Sequence, residues 1–381
     1  MSVAYQFHFH QGIKEIPEHT WNRLAGCASP FLQHAFLLAL EESACVSAAT
    51  GWQAHHLLLS KDNSPVAALP LYIKQHSWGE YVFDWAWADA CERGGLRYYP
   101  KLLTAIPYTP SQATRLLLAA DEDPDVLTRI ITDGVIEEAR RLGASSWHVL
   151  FPTAQESERL ASCGVHQRIG TQFHWFNRNY SSFDAYLDTF SSRKRKNLRK
   201  ERESVQQAGI EFTHYKGHEI KAALWQDFYR FYENTYHVRG QQAYLTLAFF
   251  ERLGATLAEN ILLVIATEKG RPIAAALSLY DDNKLYGRYW GCLEEYQFLH
   301  FETCYYQGIE FCIKQGLSSF DSGAQGEHKI QRGFEPIRTY SNHWLADPRL
   351  ETAIVDFLQR EAQQMALYRE QAASLLPFKR L

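Results

Sequence analysis

The segments "IEEARRLGASSW" (residues 136–147) and "IEFCIKQGLSSF" (residues 309–320) are two versions of one pattern. Both begin with Ile-Glu, and both contain a glycine followed, one residue later, by two serines. Apolar side chains at helical spacing predict a helix over residues 300–316, which Gly316 ends because glycine readily adopts the left-handed backbone conformation. Each segment therefore predicts a helix that leads into a short strand.

The same two regions of the chain share further patterns in the same order. "SPVAALPLY" (residues 64–72) resembles "RPIAAALSLY" (residues 271–280), and the spacing Gly-x9-His-Trp occurs at residues 164–175 and again at 333–344. Because these matches occur in the same order in both regions, they indicate an internal repeat. This repeat is stronger evidence for the fold than any single motif. Each copy predicts strands joined by tight turns, then a helix, a short strand, a second helix ending at glycine and a long strand.

A chain of 381 residues with this repeat predicts two domains. We place the junction near Tyr180, which gives an N-terminal domain of residues 1–179 and a C-terminal domain of residues 180–381. The fold class is α/β (α+β), with mixed, mostly antiparallel sheets flanked by helices. A C-terminal packing helix is predicted to start after Asp347, since the proline that follows fits the first turn of a helix.

Composition and charge exclude several classes of protein. The net charge of −4 argues against a DNA-binding protein, which is usually basic over a whole face. No apolar run reaches the roughly 18–20 residues of a membrane span, and the N-terminus shows no secretory signal. The seven cysteines are scattered without a Cys-x-x-Cys pair. We therefore expect a cytoplasmic protein with reduced thiols and no metal site.

The most basic stretch is "SSRKRKNLRKER" (residues 191–202), with seven basic side chains in twelve positions. Residues 193–208 lack proline and predict a helix whose apolar seam contains Leu198 and Val205. At helical spacing, two basic stripes form on this helix. The stripe beside the seam consists of Arg195, Arg199 and Arg202. The opposite stripe consists of Arg193, Lys196 and Lys200. Either the helix is simply a solvated surface with charge pairs, or the arginine stripe faces phosphates of a tRNA acceptor end or another carrier.

A second candidate region is "HSWGEYVFDWAWADA" (residues 76–90). Read as a strand, it directs its aromatic side chains to one face and Asp84 to the other. Small apolar neighbours around a buried carboxylate raise its pKa, which would allow Asp84 to act as a base. The alternative is that Asp84 pairs with a nearby arginine or caps a loop.

These stretches, with "YYPKLL" (98–103), "GAQGEHKIQRGF" (323–334) and "YSNHW" (340–344), resemble the FemAB-like family of predicted N-acyltransferases. The resemblance covers most of the chain. It implies two tandem GNAT-like acyltransferase units, related to the Fem-type aminoacyltransferases that build peptidoglycan cross-bridges. The implied function is transfer of an acyl group from a carrier to an amine acceptor, with a cell-wall precursor as one such acceptor. Alternatives are a catalytically degenerate binding protein for a peptide, precursor or carrier, and an acyl-CoA-dependent N-acetyltransferase.

Acyl transfer to an amine needs a base and a group that stabilises the oxyanion. The corner at residues 323–333 collects candidates for both roles at a Gly-rich turn. They are Gln325, Glu327, His328, Lys329 and Arg332. Glu327, His328 and Lys329 are expected to be catalytic, whereas Gln325 and Arg332 are expected to bind substrate or phosphate.

The donor is the least determined part of the reaction. GNAT enzymes hold the pyrophosphate of CoA on an Arg/Gln-x-x-Gly-x-Gly/Ala loop, and the second copy has Glu294 and Glu295 at that place. The first copy offers a better anion cradle, formed by Arg93, Arg97 and Lys101. Without the CoA loop, we expect no permanently bound cofactor and a donor such as aminoacyl-tRNA, another acyl carrier or, less favoured, acyl-CoA.

Overall fold

The computed structural model describes residues 4–26, 29–324 and 326–379. The chain forms two compact units: Met1–Thr171 with Arg338–Leu367, and Gln172–Ile337 with Tyr368–Leu381. The sequence predicted continuous domains of residues 1–179 and 180–381. In the structure, two long strands at residues 166–176 and 335–345 are instead each divided between the units.

The first unit contains two sheets and five helices among its described residues before the first long strand. Its strands are β1 (Tyr5–His10), β2 (Trp52–Ala54), β3 (His56–Lys61), β4 (Ser64–Leu69), β5 (Leu71–Lys74), β6 (Lys101–Thr104), β7 (Leu117–Leu118) and β8 (Ser146–Leu150). Its helices are α1 (Glu18–Ala25), α2 (His34–Glu42), α3 (Trp85–Arg93), α4 (Pro124–Arg141) and α5 (Ala154–Ser162). One sheet has the order β1-β3-β4-β7, and the other contains β2-β5-β6-β8.

The second unit has one sheet, of order β10-β11-β12-β13-β14-β9. Its strands are β9 (His166–Phe176), β10 (Ile210–Lys216), β11 (Ile261–Glu268), β12 (Arg271–Tyr280), β13 (Lys284–Cys292) and β14 (Ser319–Asp321). The remaining helices are α6 (Phe183–Asp188), α7 (Ser192–Gln207), α8 (Ala222–His237), α9 (Leu247–Thr256), α10 (Leu299–Phe301) and α11 (Gln307–Gln315), followed by strand β15 (Glu335–Leu345) and helix α12 (Pro348–Ser374). Among the described residues, no helix combines the length and hydrophobicity that a bilayer crossing requires.

The sheet registers confirm the internal repeat. In the second unit, Phe320 on β14 lies opposite Trp175 on β9, and β14 runs parallel to β13. In the first unit, Trp147 on β8 lies opposite Trp344 on β15, and β8 runs parallel to β6. The residues that the repeat aligns thus occupy the same positions in the mixed, mostly antiparallel strand order of each unit.

A proline explains why the first unit has two sheets where the second has one. Strand β12 is continuous, but its counterpart is interrupted at Pro70 into β4 and β5. Because proline has no backbone N–H to donate, it ends the hydrogen-bond ladder at that point. Strand β4 then pairs with β3, and β5 pairs with β6, so the order of the repeat is preserved across the break.

Three helix predictions are confirmed in this structure. The basic stretch forms α7, with Leu198 and Val205 buried on its seam. The helix predicted over residues 300–316 is observed, although Glu302–Tyr306 forms a turn of π-helix between α10 and α11. The C-terminal helix begins at Pro348 as predicted, and it buries apolar side chains in the core of the first unit.

The strand predicted for residues 76–90 is wrong. Residues 75–84 are irregular, and α3 begins at Trp85. Trp87 and Cys91, four positions apart, are buried against Leu350 and Ile354 of α12. Alanines at alternate positions favour a helix, and the contacts at a spacing of four outweighed the alternating aromatic pattern.

Candidate active site

A partly enclosed cavity of the second unit lies where two parallel strands separate. Strands β13 and β14 pair only from Lys284 with Ser319 to Tyr286 with Asp321, and β13 then continues without this neighbour. A cavity of about 120 Å³ lies along the continuing part of β13. Its lining includes Arg288, Tyr289, Trp290, His300, Cys304, Tyr305 and Ser322. Such a small cavity, aromatic with a few polar groups, is typical of a binding site for part of a ligand.

A buried ion pair closes one side of this cavity. Arg288 donates to Asp321 at 2.7 Å, and both side chains are almost completely buried. The N–H of Gly323 donates to the same carboxylate at 2.9 Å. Burial alone would raise the pKa of Asp321, but the charges of Arg288 and His174 hold this pKa well below its usual range. Asp321 is therefore an anion that fixes Arg288 and the turn after β14.

Lys329 is buried beside the cavity and is held by backbone oxygens. Its Nζ donates to the carbonyls of Ser322 at 2.9 Å and Gly323 at 2.8 Å. Burial lowers the pKa of Lys329 to about 8, with Asp321 opposing that change and Arg288 adding to it. The ammonium thus loses its proton more readily than an ordinary lysine, and it lies next to Ser322, which lines the cavity.

His328 contacts the cavity through a tyrosine. Its Nε2 lies 2.9 Å from the hydroxyl of Tyr305, which lines the cavity, and the residue as a whole is exposed. Partial burial, together with the charges of Lys329 and Arg332, lowers the pKa of His328 to about 4. At neutral pH the imidazole is therefore uncharged, as a proton acceptor requires.

We predict that His328 stays neutral from pH 8 down to about pH 5, because protonation would place a third cation beside Lys329 and Arg332. The measurement is an NMR titration of the histidine ring protons, with His328 identified by the signal that disappears in His328→Gln. A midpoint near the ordinary histidine value of about 6.5 would contradict this environment.

Arg332 supports this corner with four hydrogen bonds to other residues of the second unit. Its guanidinium donates to Glu201 at 2.8 and 3.0 Å, to the hydroxyl of Tyr306 at 3.0 Å and to the carbonyl of His328 at 2.8 Å. Its planar face lies 3.4 Å from the ring centre of Phe301. Arg332 thus fastens the corner to α7 and to the π-turn.

The other predicted residues of this corner lie away from the cavity. Glu327 is exposed and accepts a hydrogen bond from Tyr368 at 2.7 Å. Gln325 lies outside the described residues. Sequence reasoning missed Arg288, Asp321 and Tyr305, which complete the site. The "FDSG" strand end and the consecutive tyrosines of the π-turn were the available signals, since π-turns often occur at functional sites.

Gly333 ends the corner with a backbone conformation that requires glycine. Its φ is +79°, and a Cβ on it would lie 2.0 Å from the hydroxyl of Tyr186. That hydroxyl donates to the carbonyl of Arg332 at 2.6 Å. Only glycine permits both the backbone conformation and this close approach.

The Asp84 prediction is corrected by the structure of the first unit. Asp84 is buried, and Lys101 donates to it at 2.5 Å. Burial acts to raise the pKa of Asp84, but the charges of Lys101 and His148 lower it to about 2. Asp84 is thus a stable carboxylate and not a base with a raised pKa. The sequence could not reveal this partner, which lies 17 residues further along the chain on strand β6.

The predicted anion cradle is also changed. Lys101 is completely buried between Glu80 and Asp84, so its charge is already neutralised. Arg93 and Arg97 are exposed near the end of α3, and Arg93 donates to the carbonyl of Asp89. The structure does not bring the three cations together around one space.

The two basic stripes of α7 have different surroundings. The arginine stripe is paired with carboxylates of its own unit: Arg195 with Asp188, Arg199 with Asp184, and Arg202 with Glu302 and Glu310. The opposite stripe is exposed, and in the described part of the chain it has no ion pair. That stripe consists of Arg193, Lys196 and Lys200. The unpaired positive charge of α7 is therefore on the stripe that the sequence analysis placed opposite the apolar seam.

Comparisons with known proteins agree with this architecture. A family profile described as peptidoglycan biosynthesis/recognition matches residues 12–380. The structure of FemX is similar at 12% identity and a TM-score of 0.52, covering 92% of this chain and 100% of that one. No curated protein matches at a significant level.

Two further structures share the fold. One is the C-terminal domain of an Agrobacterium fabrum protein assigned as a lysylphosphatidylglycerol synthetase, at 8% identity and a TM-score of 0.54, covering 92% of this chain and 97% of that one. The other is L-PGS from Bacillus licheniformis, at 10% identity and a TM-score of 0.51, covering 86% and 95%. At these identities the likeness shows the fold alone.

Proposed function

The chain belongs to the FemAB-like family, and from this premise we propose that it is an N-acyl- or aminoacyltransferase that moves an acyl group from a carrier to an amine acceptor. The family description supports an acceptor among peptidoglycan precursors. The observation that carries the proposal is the buried Lys329, bonded to the carbonyl of Ser322 at the wall of the small cavity.

The chemistry follows from the protonation states at this site. A neutral amine attacks the acyl carbonyl and forms a C–N bond. The bond to the carrier breaks when the resulting tetrahedral intermediate collapses. The tetrahedral intermediate carries a negative oxygen. Two of the three N–H groups of the Lys329 ammonium bind backbone carbonyls, and the third would stabilise this oxygen. His328, neutral at pH 7, would accept the proton that the amine loses and then return it to the leaving group of the carrier.

The size of the cavity supports a small acyl end. A volume of about 120 Å³ is a fraction of the roughly 300–1,000 Å³ of a pocket for a whole ligand of drug size. The carrier must therefore remain outside this cavity, and we propose the exposed stripe of α7 as the surface that binds it.

The donor can be identified by thermal stabilisation of the full chain. We would compare acetyl-CoA, deacylated tRNA and aminoacylated tRNA as probes, followed by single-turnover transfer to amines with any donor that binds. Stabilisation by a tRNA, followed by transfer, supports the proposal. Stabilisation by acetyl-CoA alone would favour the acyl-CoA-dependent alternative, and no response to any probe would favour a non-catalytic binding protein.

We predict that the exposed stripe of α7, and not the arginine stripe, binds the carrier phosphates. The charge-matched variants are Arg193→Gln with Lys196→Gln, and Arg195→Gln with Arg199→Gln. The first pair should reduce the slope of log K for tRNA binding against log salt concentration by roughly one to two units. The reason is that binding releases fewer counterions when phosphate contacts are lost. The second pair should change it less, because Asp188 and Asp184 already neutralise those arginines. Equal losses in the two variants would indicate nonspecific charge.

A further inference from the structure

Two buried lysines lie directly opposite each other in the first unit. Lys74 on β5 is paired in register with Lys101 on β6, and neither side chain is exposed. Like charges at opposite positions of neighbouring strands repel, and each buried ammonium costs several kcal/mol in lost hydration. This pair is therefore stable only with negative charge beside it.

The negative charge comes from an irregular segment, residues 76–84, which we call the strap. Glu80 spans the two ammonium groups: its Oε2 lies 2.8 Å from Lys101 and its Oε1 lies 4.0 Å from Lys74. Asp84, at the end of the strap, binds Lys101 at 2.5 Å. Two carboxylates of one segment thus occupy a space bordered by two lysines.

The strap leaves this space incompletely satisfied. Within the described chain, Glu80 Oε1 and Asp84 Oδ1 are buried without a hydrogen bond. Lys74 donates to the carbonyl of Trp78 at 3.2 Å, lies 3.5 Å from Nδ1 of His76, and packs over the ring of Trp52, 3.8 Å from its centre. Unpaired oxygen atoms and an ammonium with few acceptors are costly in a buried site. A ligand with more oxygen atoms could satisfy the lysines better.

The pKa values of Glu80 and Lys74 indicate that the attraction between these two side chains is weak. Burial raises the pKa of Glu80 to about 7, against the charge of Lys101. Burial also lowers the pKa of Lys74 to about 7, against the charge of Glu80. Near neutral pH the Glu80–Lys74 pair is therefore only partly ionised, and its attraction is smaller than that of two full charges.

The outer side of the strap is apolar and exposed. Trp78 is 52% exposed and Phe83 is 60% exposed, and Trp78 contacts Trp85 of α3 with ring centres 4.9 Å apart. The strap forms neither helix nor strand, and its backbone takes a positive φ at Gly79 and Tyr81. Arg168 donates to its Phe83 carbonyl at 2.9 Å. Exposed aromatic residues in a group are uncommon on soluble surfaces unless they have a binding role.

We propose that Lys74 and Lys101 form an anion site which Glu80 and Asp84 fill in the free protein, and that a small dianion, either a dicarboxylate or a phosphate, displaces the strap to bind there. The two carboxylates of the strap stand in for the two charges of the ligand. Binding then opens the strap and moves its aromatic side chains, which gives the first unit a ligand-dependent surface. This site is separate from the transfer chemistry of the second unit.

Competition between strap and ligand gives the first test. Binding of malonate and of inorganic phosphate to the full chain is measured by calorimetry, with sodium chloride at matched ionic strength as the blank. Glu80→Gln removes one competing charge and should tighten binding of the preferred anion by about tenfold, since a larger fraction of molecules is open. Lys74→Met should abolish binding. Asp356→Asn, in an exposed pair with Arg360, is the matched control and should behave as wild type.

Amide hydrogen exchange in the wild-type protein gives a second test that needs no variant. Saturating malonate or phosphate should accelerate exchange across residues 76–84 while the sheets stay protected. The more effective anion identifies the ligand as a carboxylate or a phosphate. Two results would overturn the proposal: unchanged or slower exchange in the strap, or equal anion binding by wild type, Glu80→Gln and Lys74→Met.

Discussion

Lys329→Met should lower the rate of acyl transfer by about 10²–10³-fold, because it removes the ammonium placed to stabilise the developing oxyanion. Methionine retains most of the buried volume, so the cavity keeps its shape. The loss should appear in kcat and in kcat/KM alike, since the interaction forms only in the transition state. The measurement is single-turnover transfer with the donor found in the stabilisation screen.

Lys314→Met is the matched control for this experiment. Lys314 is exposed on α11, so the same change there should leave the rate near wild type. Lys329→Met also leaves the carbonyls of Ser322 and Gly323 without a donor, which costs about 1–3 kcal/mol of unfolding free energy. Rates are therefore compared well below the melting temperature of each variant.

Two outcomes separate a catalytic role from a structural one. Full activity in Lys329→Met and in His328→Ala would remove both residues from the mechanism. A loss of activity that follows the loss of stability in parallel would show that the corner is structural. If Lys329→Met is active and His328→Ala is inactive, His328 remains the proton acceptor, and a group other than Lys329 stabilises the oxyanion.

Arg288→Ala should destabilise the second unit by about 3–5 kcal/mol, which is the usual result of removing one partner from a buried ion pair. Asp321 would remain buried and charged beside β13 without its guanidinium partner. The free energy of unfolding is measured by guanidinium denaturation, with transitions of the two units analysed separately if they do not coincide.

Arg360→Ala is the control, because Arg360 and Asp356 form an exposed pair on α12 that contributes little. A second comparison is Arg288→Met combined with Asp321→Leu. Replacing both charges removes the buried unpaired carboxylate, so the double variant should be more stable than Arg288→Ala. If Arg288→Ala unfolds at the wild-type denaturant concentration, the pair has no structural role.

The sequence by itself determined the repeated architecture. Glycines at the helix ends, the apolar periodicity and the conserved order of short patterns are local properties of the chain, and they fixed α7, α11, α12 and the matching strand order. The sequence also predicted a candidate site at the corner of residues 323–333, since Gly-rich turns with mixed polar residues are a local signal. Its strand at residues 76–90 failed because burial of Trp87 and Cys91 against α12 cannot be seen locally.

The tertiary structure alone decided which charges are free and which are neutralised. Asp84 has a lowered pKa because folding brings Lys101 of β6 beside it, and Arg202 is neutralised by Glu302, which lies 100 residues further along the chain. The cavity likewise forms from β13, the π-turn and the residue after β14, which are neighbours only in the folded unit. A pattern of residues sets where charges occur along the chain. Whether each charge faces water, a partner or a ligand depends on distances that only folding creates, because electrostatic energy depends on separation in space and on burial.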